Sequence, residues 1–206
     1  MSDVLESFPL FPLPLVMLPS EVVPLHIFED RYRQMIDGCL EGDTEFGIVW
    51  LSDHGLKEIG CSAQVTQLIE RTDDGRMNIL VRGTQPFRLL RRVEHLAYPA
   101  GDVEFLDEQE GEVDPEAADE ARERYADLVG RVSSNRPDPG DLSELDAYAM
   151  AATIDFAPDA KQPLLELRSE DDRLRLAAEL FESTLKRLDE LEAAGERAKS
   201  NGKVHF

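Results

Sequence analysis

Five prolines within Phe8–Phe28, at positions 9, 12, 14, 19 and 24, constrain this chain more than any other feature. Each proline locks its own φ and pushes the residue before it toward extended geometry, so this apolar stretch cannot be a helix. The segment reads as short extended pieces, and strands broken by proline belong at sheet edges or barrel corners. From Glu29 the period changes. Tyr32, Met35, Ile36, Cys39 and Leu40 fall at helical spacing, which predicts a helix over Glu29–Leu40 with Gly42 just past its end.

Beyond Glu45 the pattern is extended again to about Phe105. Phe46–Leu51 is a short apolar strand carrying Trp50, the single tryptophan. Ser62–Arg71 and Arg76–Arg82 flank Asp73-Asp74-Gly75, a turn sequence that predicts a hairpin. Gly83 marks a bend or bulge, after which Phe87, Leu89 and Val93 alternate with Arg88 and Arg92. About six strands with one inserted helix fit a small closed or half-closed barrel.

The second half is different in kind. Residues 1–100 carry 9 basic and 15 acidic side chains, residues 101–206 carry 13 and 28. Between 102 and 123 eleven acids face one base, Arg122, a pattern that reads as a solvated linker, or alternatively as an interaction segment. Asp114 then caps a helix with Pro115 at its first position, and Ala118, Ala121, Tyr125, Leu128 and Val132 form its apolar stripe. After a loop over Ser133–Gly140, helices are predicted at about Asp141–Ile154 and Asp159–Leu167. A long one opens at Ser169 and carries Leu174, Ala177, Ala178, Phe181, Leu185 and Leu188, with the end frayed from about residue 195. The expected organisation is a β subdomain over 1–110 and a helical bundle over 111–206.

A formal net charge of -21 opposes binding to nucleic acid or an anionic bilayer. Cys39 and Cys61 lack partners at metal-ligand spacing and read as reduced thiols of a cytoplasmic protein. The apolar start has Asp3 and Glu6 where a signal peptide needs bases, and its prolines exclude a membrane span. A phosphate-binding loop, a nucleophile elbow and paired zinc-ligand histidines are all missing, so no catalytic, metal or cofactor site is expected. Four residues are candidates for binding a peptide. His26 is the polar residue of Val22–Phe28 and either lines a pocket or is a partly exposed strand residue bonded to backbone. Met17 and Leu18 sit in a proline-bounded loop and offer an apolar surface, although core packing is the plainer reading. Trp50 is a ligand platform or a buried strand residue.

The stretch FPLFPLPLVMLPSEVVPLHIFEDRYRQMI, Phe8–Ile36, resembles the opening of the substrate-binding domain of Lon proteases, where P-L-x-I-F-E-x-R-Y leads into the first helix. Pro24, Leu25, Ile27, Phe28, Glu29, Arg31 and Tyr32 match that pattern, while Asp30 replaces the proline usual there. Ile59-Gly60, Asp74-Gly75-Arg76 and Arg82-Gly83 are similar to later strand motifs. Lys161-Gln162-Pro163-Leu164-Leu165-Glu166 and Asp172-Arg173-Leu174 are similar to the family's last helices. The resemblance implies an α+β fold: a PUA-like twisted β pseudo-barrel with one inserted helix, followed by a C-terminal helical bundle. It also implies a non-catalytic, ATP-independent module that binds unfolded or degron-bearing polypeptide, standing apart from the ATPase and peptidase parts, with a protease or chaperone as companion. The same fold can serve as a scaffold that docks a folded partner, here through the acidic helical half. A small hydrolase or ligand sensor is the remaining reading.

Overall fold

The computed structural model describes residues 4–133 and 136–201. Seven strands and one inserted helix come first: β1 (Val4–Leu13), β2 (Val22–Ile27), α1 (Asp30–Gly42), β3 (Phe46–Ser52), β4 (Gly55–Leu56), β5 (Ile59–Arg71), β6 (Met77–Val93) and β7 (Ala100–Phe105). The two-residue β4 is the strand that sequence periodicity does not show. The strands run in the order β1-β7-β6-β5-β3, and β1 returns to pair in parallel with β3, Leu10 opposite Gly47 through Leu13 opposite Trp50. That last pairing closes the barrel.

Proline placement explains how β1 can bridge two neighbours. Its first half, Val4 to Pro9, pairs with β7, and its second half, Leu10 to Leu13, pairs with β3. Pro9 and Pro12 therefore each lie where one side of the strand is unpaired and a missing N–H goes unnoticed. Pro24 lies in β2, which pairs with β6 alone.

β6 is long because it serves three partners. It pairs with β5 along one side, and on the other with β2 over Met77–Arg82 and then with β7 from Phe87. The changeover is at Gly83, whose N–H donates to Glu21 O while its carbonyl accepts from Ser20 N, both at 2.9 Å. A Cβ at this position would lie 2.1 Å from the Leu18 carbonyl oxygen. Gly83 thus permits a close backbone crossing within a continuous strand. The hairpin at Asp73–Gly75 forms as expected, with Arg71 opposite Met77 and Gly75 at φ 82°.

Five helices follow: α2 (Pro115–Ser133), α3 (Pro139–Leu142), α4 (Ala147–Ala151), α5 (Pro158–Glu166) and α6 (Glu170–Asn201). Asp114 Oδ1 accepts from Glu116 N at 3.0 Å, as a cap should. Three expectations are corrected. The left-handed residue ending α1 is Asp43, at φ 49°, and Gly42 is still helical. Val132 is 71% exposed and leaves the stripe of α2. The single helix predicted over Asp141–Ile154 is two short ones, because Ala147 N donates to Glu170 Oε1 and Ala149 N to Asp146 Oδ1, both at 2.7 Å. Those carboxylates occupy donors that a continuous helix would have turned to carbonyls four residues back. Helix α6 is continuous through Gly195, where fraying is expected, to Asn201; residues 202–206 lie outside the described part.

Barrel and helices share one contiguous core in which Phe11, Val16 and Leu18 join Tyr125, Leu164 and Phe181. A smaller cluster, Phe8, Leu10, Val49, Phe87 and Val103, fills the opposite part of the barrel. The helical half is also pinned by polar side chains of α5. Lys161 reaches Glu21 and the Val16 carbonyl, and Gln162 Nε2 donates to Ile59 O at 3.2 Å. The Lys-Gln pair of the α5 motif is thus a buried joint between barrel and helices.

Candidate functional site

The residues leading from β2 into α1 form one wall of a groove of about 580 Å³ on the barrel. Its lining comes from β1 (Phe11, Pro12, Leu13), the β2–α1 junction (His26 to Glu29, Arg31, Tyr32), the β3–β4 corner (Leu51, Gly55, Leu56), Arg92 and Pro99. The volume is in the range of ligand-binding clefts. Phe11 and Tyr32 pack against each other in its floor, ring centroids 4.1 Å apart and planes tilted by 32°. Burial pushes the Tyr32 phenol above its ordinary pKa, with the neighbouring Arg31 pulling the other way, so the ring stays neutral.

Phe28 is the unusual member. It is 59% exposed, stacked loosely on His26 at 5.8 Å. Fully burying a phenylalanine is worth about 1.5–3 kcal/mol, so more than half of that is forgone here. Its place is not dictated by core stability. Leu51, 50% exposed, adds a second apolar side chain to the lining from the β3–β4 corner.

Polar groups fix the groove's edge. The Glu29 carboxylate does not cap α1 but accepts from Arg31 Nε at 2.9 Å, and the Arg31 guanidinium lies 4.6 Å over the Tyr32 ring. Asn78 Nδ2 donates to Glu70 at 3.0 Å, which turns its carbonyl oxygen toward His26 Nδ1 at 2.7 Å. His26 therefore carries its proton on Nδ1 in this network. Asp30, the residue that departs from the motif, pairs with Arg33 in the first turn of α1, and Arg33 also bonds the Asp74 carbonyl. That ties the β5–β6 hairpin to the helix.

Of the four peptide-binding candidates, only His26 lines this groove. Met17 and Leu18 are 1% and 0% exposed and belong to the core, so they offer no surface. The loop holding them is drawn inward because Leu18 N donates to Glu21 at 2.9 Å and the chain then crosses Gly83. Trp50 is half-buried beside the core, with Lys57 Nζ 5.5 Å from its ring; its neighbour Leu51 takes the groove position. Phe28 and Leu51 escaped sequence reasoning because an exposed apolar residue looks like any other strand residue. An uninterrupted Ile27-Phe28 pair before the helix is the signal that could have exposed Phe28, since alternation would turn only one of the two inward.

The acidic stretch is partly engaged within the molecule. Glu108 pairs with Arg173, and both Nε and Nη2 of Arg168 donate to the Asp107 carbonyl. Arg173, 3% exposed, also bonds Glu170 and lies 4.4 Å over the Tyr148 ring. A second, apolar cleft of about 500 Å³ lies between α2 and α6, lined by Leu128, Val129, Val132 and Leu188 among others. Among the described residues no group of three or more His, Cys, Asp or Glu is placed to hold a metal ion, and no helix is long and apolar enough to cross a membrane. Cys39 and Cys61 are both free and buried, and burial pushes their thiols up.

The chain is similar to known proteins over most of its length. The family described as the ATP-dependent protease La (LON) substrate-binding domain matches residues 7–183. The Lon protease of Paraburkholderia phytofirmans is 26% identical over 223 residues, covering 92% of this chain and 28% of that protein. Lon protease 1 of Hydrogenovibrio crunogenus is 23% identical over 205 residues, covering 90% and 24%. The chain thus spans about a quarter of the length of these curated relatives. Two solved structures share the fold: a Lon N-terminal domain protein from Xanthomonas campestris (TM-score 0.63, 23% identity, 82% of this chain and 95% of that one) and the N-terminal domain of Mycobacterium avium complex Lon protease (TM-score 0.66, 22% identity, 86% and 98%).

Proposed function

Because the chain belongs to the family of the Lon protease substrate-binding domain, we propose that it binds extended, non-native polypeptide segments in the groove between α1, β2 and the β3–β4 corner. The observation that carries this reading is Phe28, an aromatic side chain held largely in solvent above a floor of Phe11 and Tyr32. Such a ring gains most by covering an apolar side chain from another molecule. The role is recognition without bond chemistry: the groove offers aromatic faces and hydrogen-bonding edges, and no nucleophile paired with a base. Its setting is the cytoplasm, where the two buried thiols stay reduced, and a protease or chaperone would act on what it holds.

The test is binding of fluorescent unfolded-protein peptides followed by anisotropy. Phe28→Ala should weaken apolar peptides at least tenfold while leaving the thermal midpoint within a few degrees. If apolar peptides bind the variant as well as the parent, or if only a folded protein binds and the charge reversal of Glu110 and Glu112 abolishes it, the groove reading fails.

A further inference from the structure

The rim of the groove has the opposite charge balance from the rest of the chain. Acids outnumber bases 43 to 22 overall, yet the ionic groups lining the groove are Arg31 and Arg92 against the lone carboxylate of Glu29. That carboxylate is already taken up by Arg31 at 2.7 Å. Arg92, exposed at the end of β6, has no carboxylate within ion-pair distance among the described residues. His26, with Nδ1 held by Asn78, adds a polar ring whose Nε2 has no hydrogen-bond partner among the described residues. The surrounding surface would bias any random lining toward acids, and Glu6, Glu94 and Asp102 do share an adjoining cleft with Arg92; the groove's own lining nonetheless carries a net basic balance beside its aromatic rings.

From this we infer that the groove selects segments in which a large apolar residue is flanked by the side chain of an aspartate or glutamate. The inference rests on the groove being the peptide site. The apolar residue covers Phe28, Phe11 and Leu56, and its acidic neighbour meets the Arg92 guanidinium, which binds carboxylates in a planar two-bond geometry. The chain's overall negative field does not cancel this. Exposed charges more than about 8 Å apart are largely screened at physiological salt, so at contact the rim charges dominate. Partners rich in lysine, which the bulk charge would attract, lose that advantage once seated between the two arginines.

Three capped peptides of identical apolar content, acetylated and amidated, with glutamate, glutamine or lysine on both sides of a central phenylalanine, separate the possibilities at 0.15 M salt. The glutamate peptide should bind about fivefold tighter than the glutamine one, the size of an exposed but well-oriented ion pair, and the lysine peptide should be weakest. Arg92→Glu should reverse the order, and Arg92→Gln should remove the preference, with unchanged circular dichroism in both. Equal affinity of the glutamate and glutamine peptides, or an order indifferent to Arg92, overturns the acid preference while leaving the groove reading intact if Phe28→Ala still weakens all three. Binding of none of the peptides, or binding indifferent to Phe28, defeats both. A glutamine peptide that gains affinity only when its C-terminus is left free would show that a chain-end carboxylate is recognised, and would overturn the side-chain proposal.

Discussion

The ammonium of Lys161 in α5 is held by the carboxylate of Glu21, which lies before β2 and 140 residues earlier in the chain, with the two side chains only 7% and 12% exposed. Glu21 spends its other oxygen on Leu18 N at 2.9 Å, so one carboxylate both shapes the loop after β1 and receives the helical half. Removing the lysine alone strands a buried charge. Lys161→Ala should therefore cost about 3–5 kcal/mol, the usual penalty for breaking a buried pair from one side. The double variant with Glu21→Gln should recover part of that loss. Chemical denaturation of the four proteins in the cycle measures the coupling, and strict additivity would deny that the two groups act as a pair.

Gly83→Ala places a methyl group 2.1 Å from the Leu18 carbonyl, where backbone and not a pliable side chain stands in the way. A loss of about 1–3 kcal/mol, typical of overpacking, is expected. Amide exchange should show faster opening of Ser20 N and Gly83 N, which bridge the crossing at 2.9 Å. Unchanged protection at both amides would contradict this account.

Met17 and Phe28 should separate stability from binding. Met17→Ala empties a core position that is 1% exposed and should cost about 2–5 kcal/mol, with peptide affinity per folded molecule unchanged. Phe28→Ala should do the reverse, changing stability by about 1 kcal/mol or less, since most of the ring is already in solvent. Trp50→Phe should leave peptide binding within twofold, because the indole is not among the side chains that line the groove. A large loss of affinity in Trp50→Phe would move the site.

Asp102 supplies a pH dependence. Arg91 beside it and the Ser7 N–H at 3.1 Å hold its carboxyl below the ordinary carboxylate pKa. A lowered folded-state pKa contributes stability that is complete above the unfolded value and disappears as pH falls through the folded value. Acid titration of stability should therefore show a component lost below the ordinary carboxylate range, and Asp102→Asn should lack that component. Parallel acid limbs in the two proteins would rule it out.

Much of the fold was legible because local signals there agree with tertiary need. The proline spacing excluded a helix over Phe8–Phe28, the 3.6-residue period marked α1, and Asp74-Gly75 marked the hairpin. Asp114-Pro115 marked the start of α2. The break between α3 and α4 was hidden, since the carboxylate that claims Ala147 N comes from Glu170, 23 residues away.

The candidate site was legible only in outline. The motif Pro24 to Tyr32 covers the segment that walls the groove, and His26 is one of its lining residues. Met17 and Leu18 have the same apolar character as Phe28 and Leu51, and nothing in composition tells which pair faces water. That choice is made by the barrel. Closure of β1 onto β3 and the crossing at Gly83 turn Met17 and Leu18 inward and leave Phe28 outside. Residue order alone thus determined those elements whose signals lie within a few positions: the proline-broken strands, α1, the Asp74-Gly75 hairpin and the start of α2. Which apolar side chains became core and which stayed in solvent depended on contacts between residues distant in sequence, and those exist only once the barrel has closed.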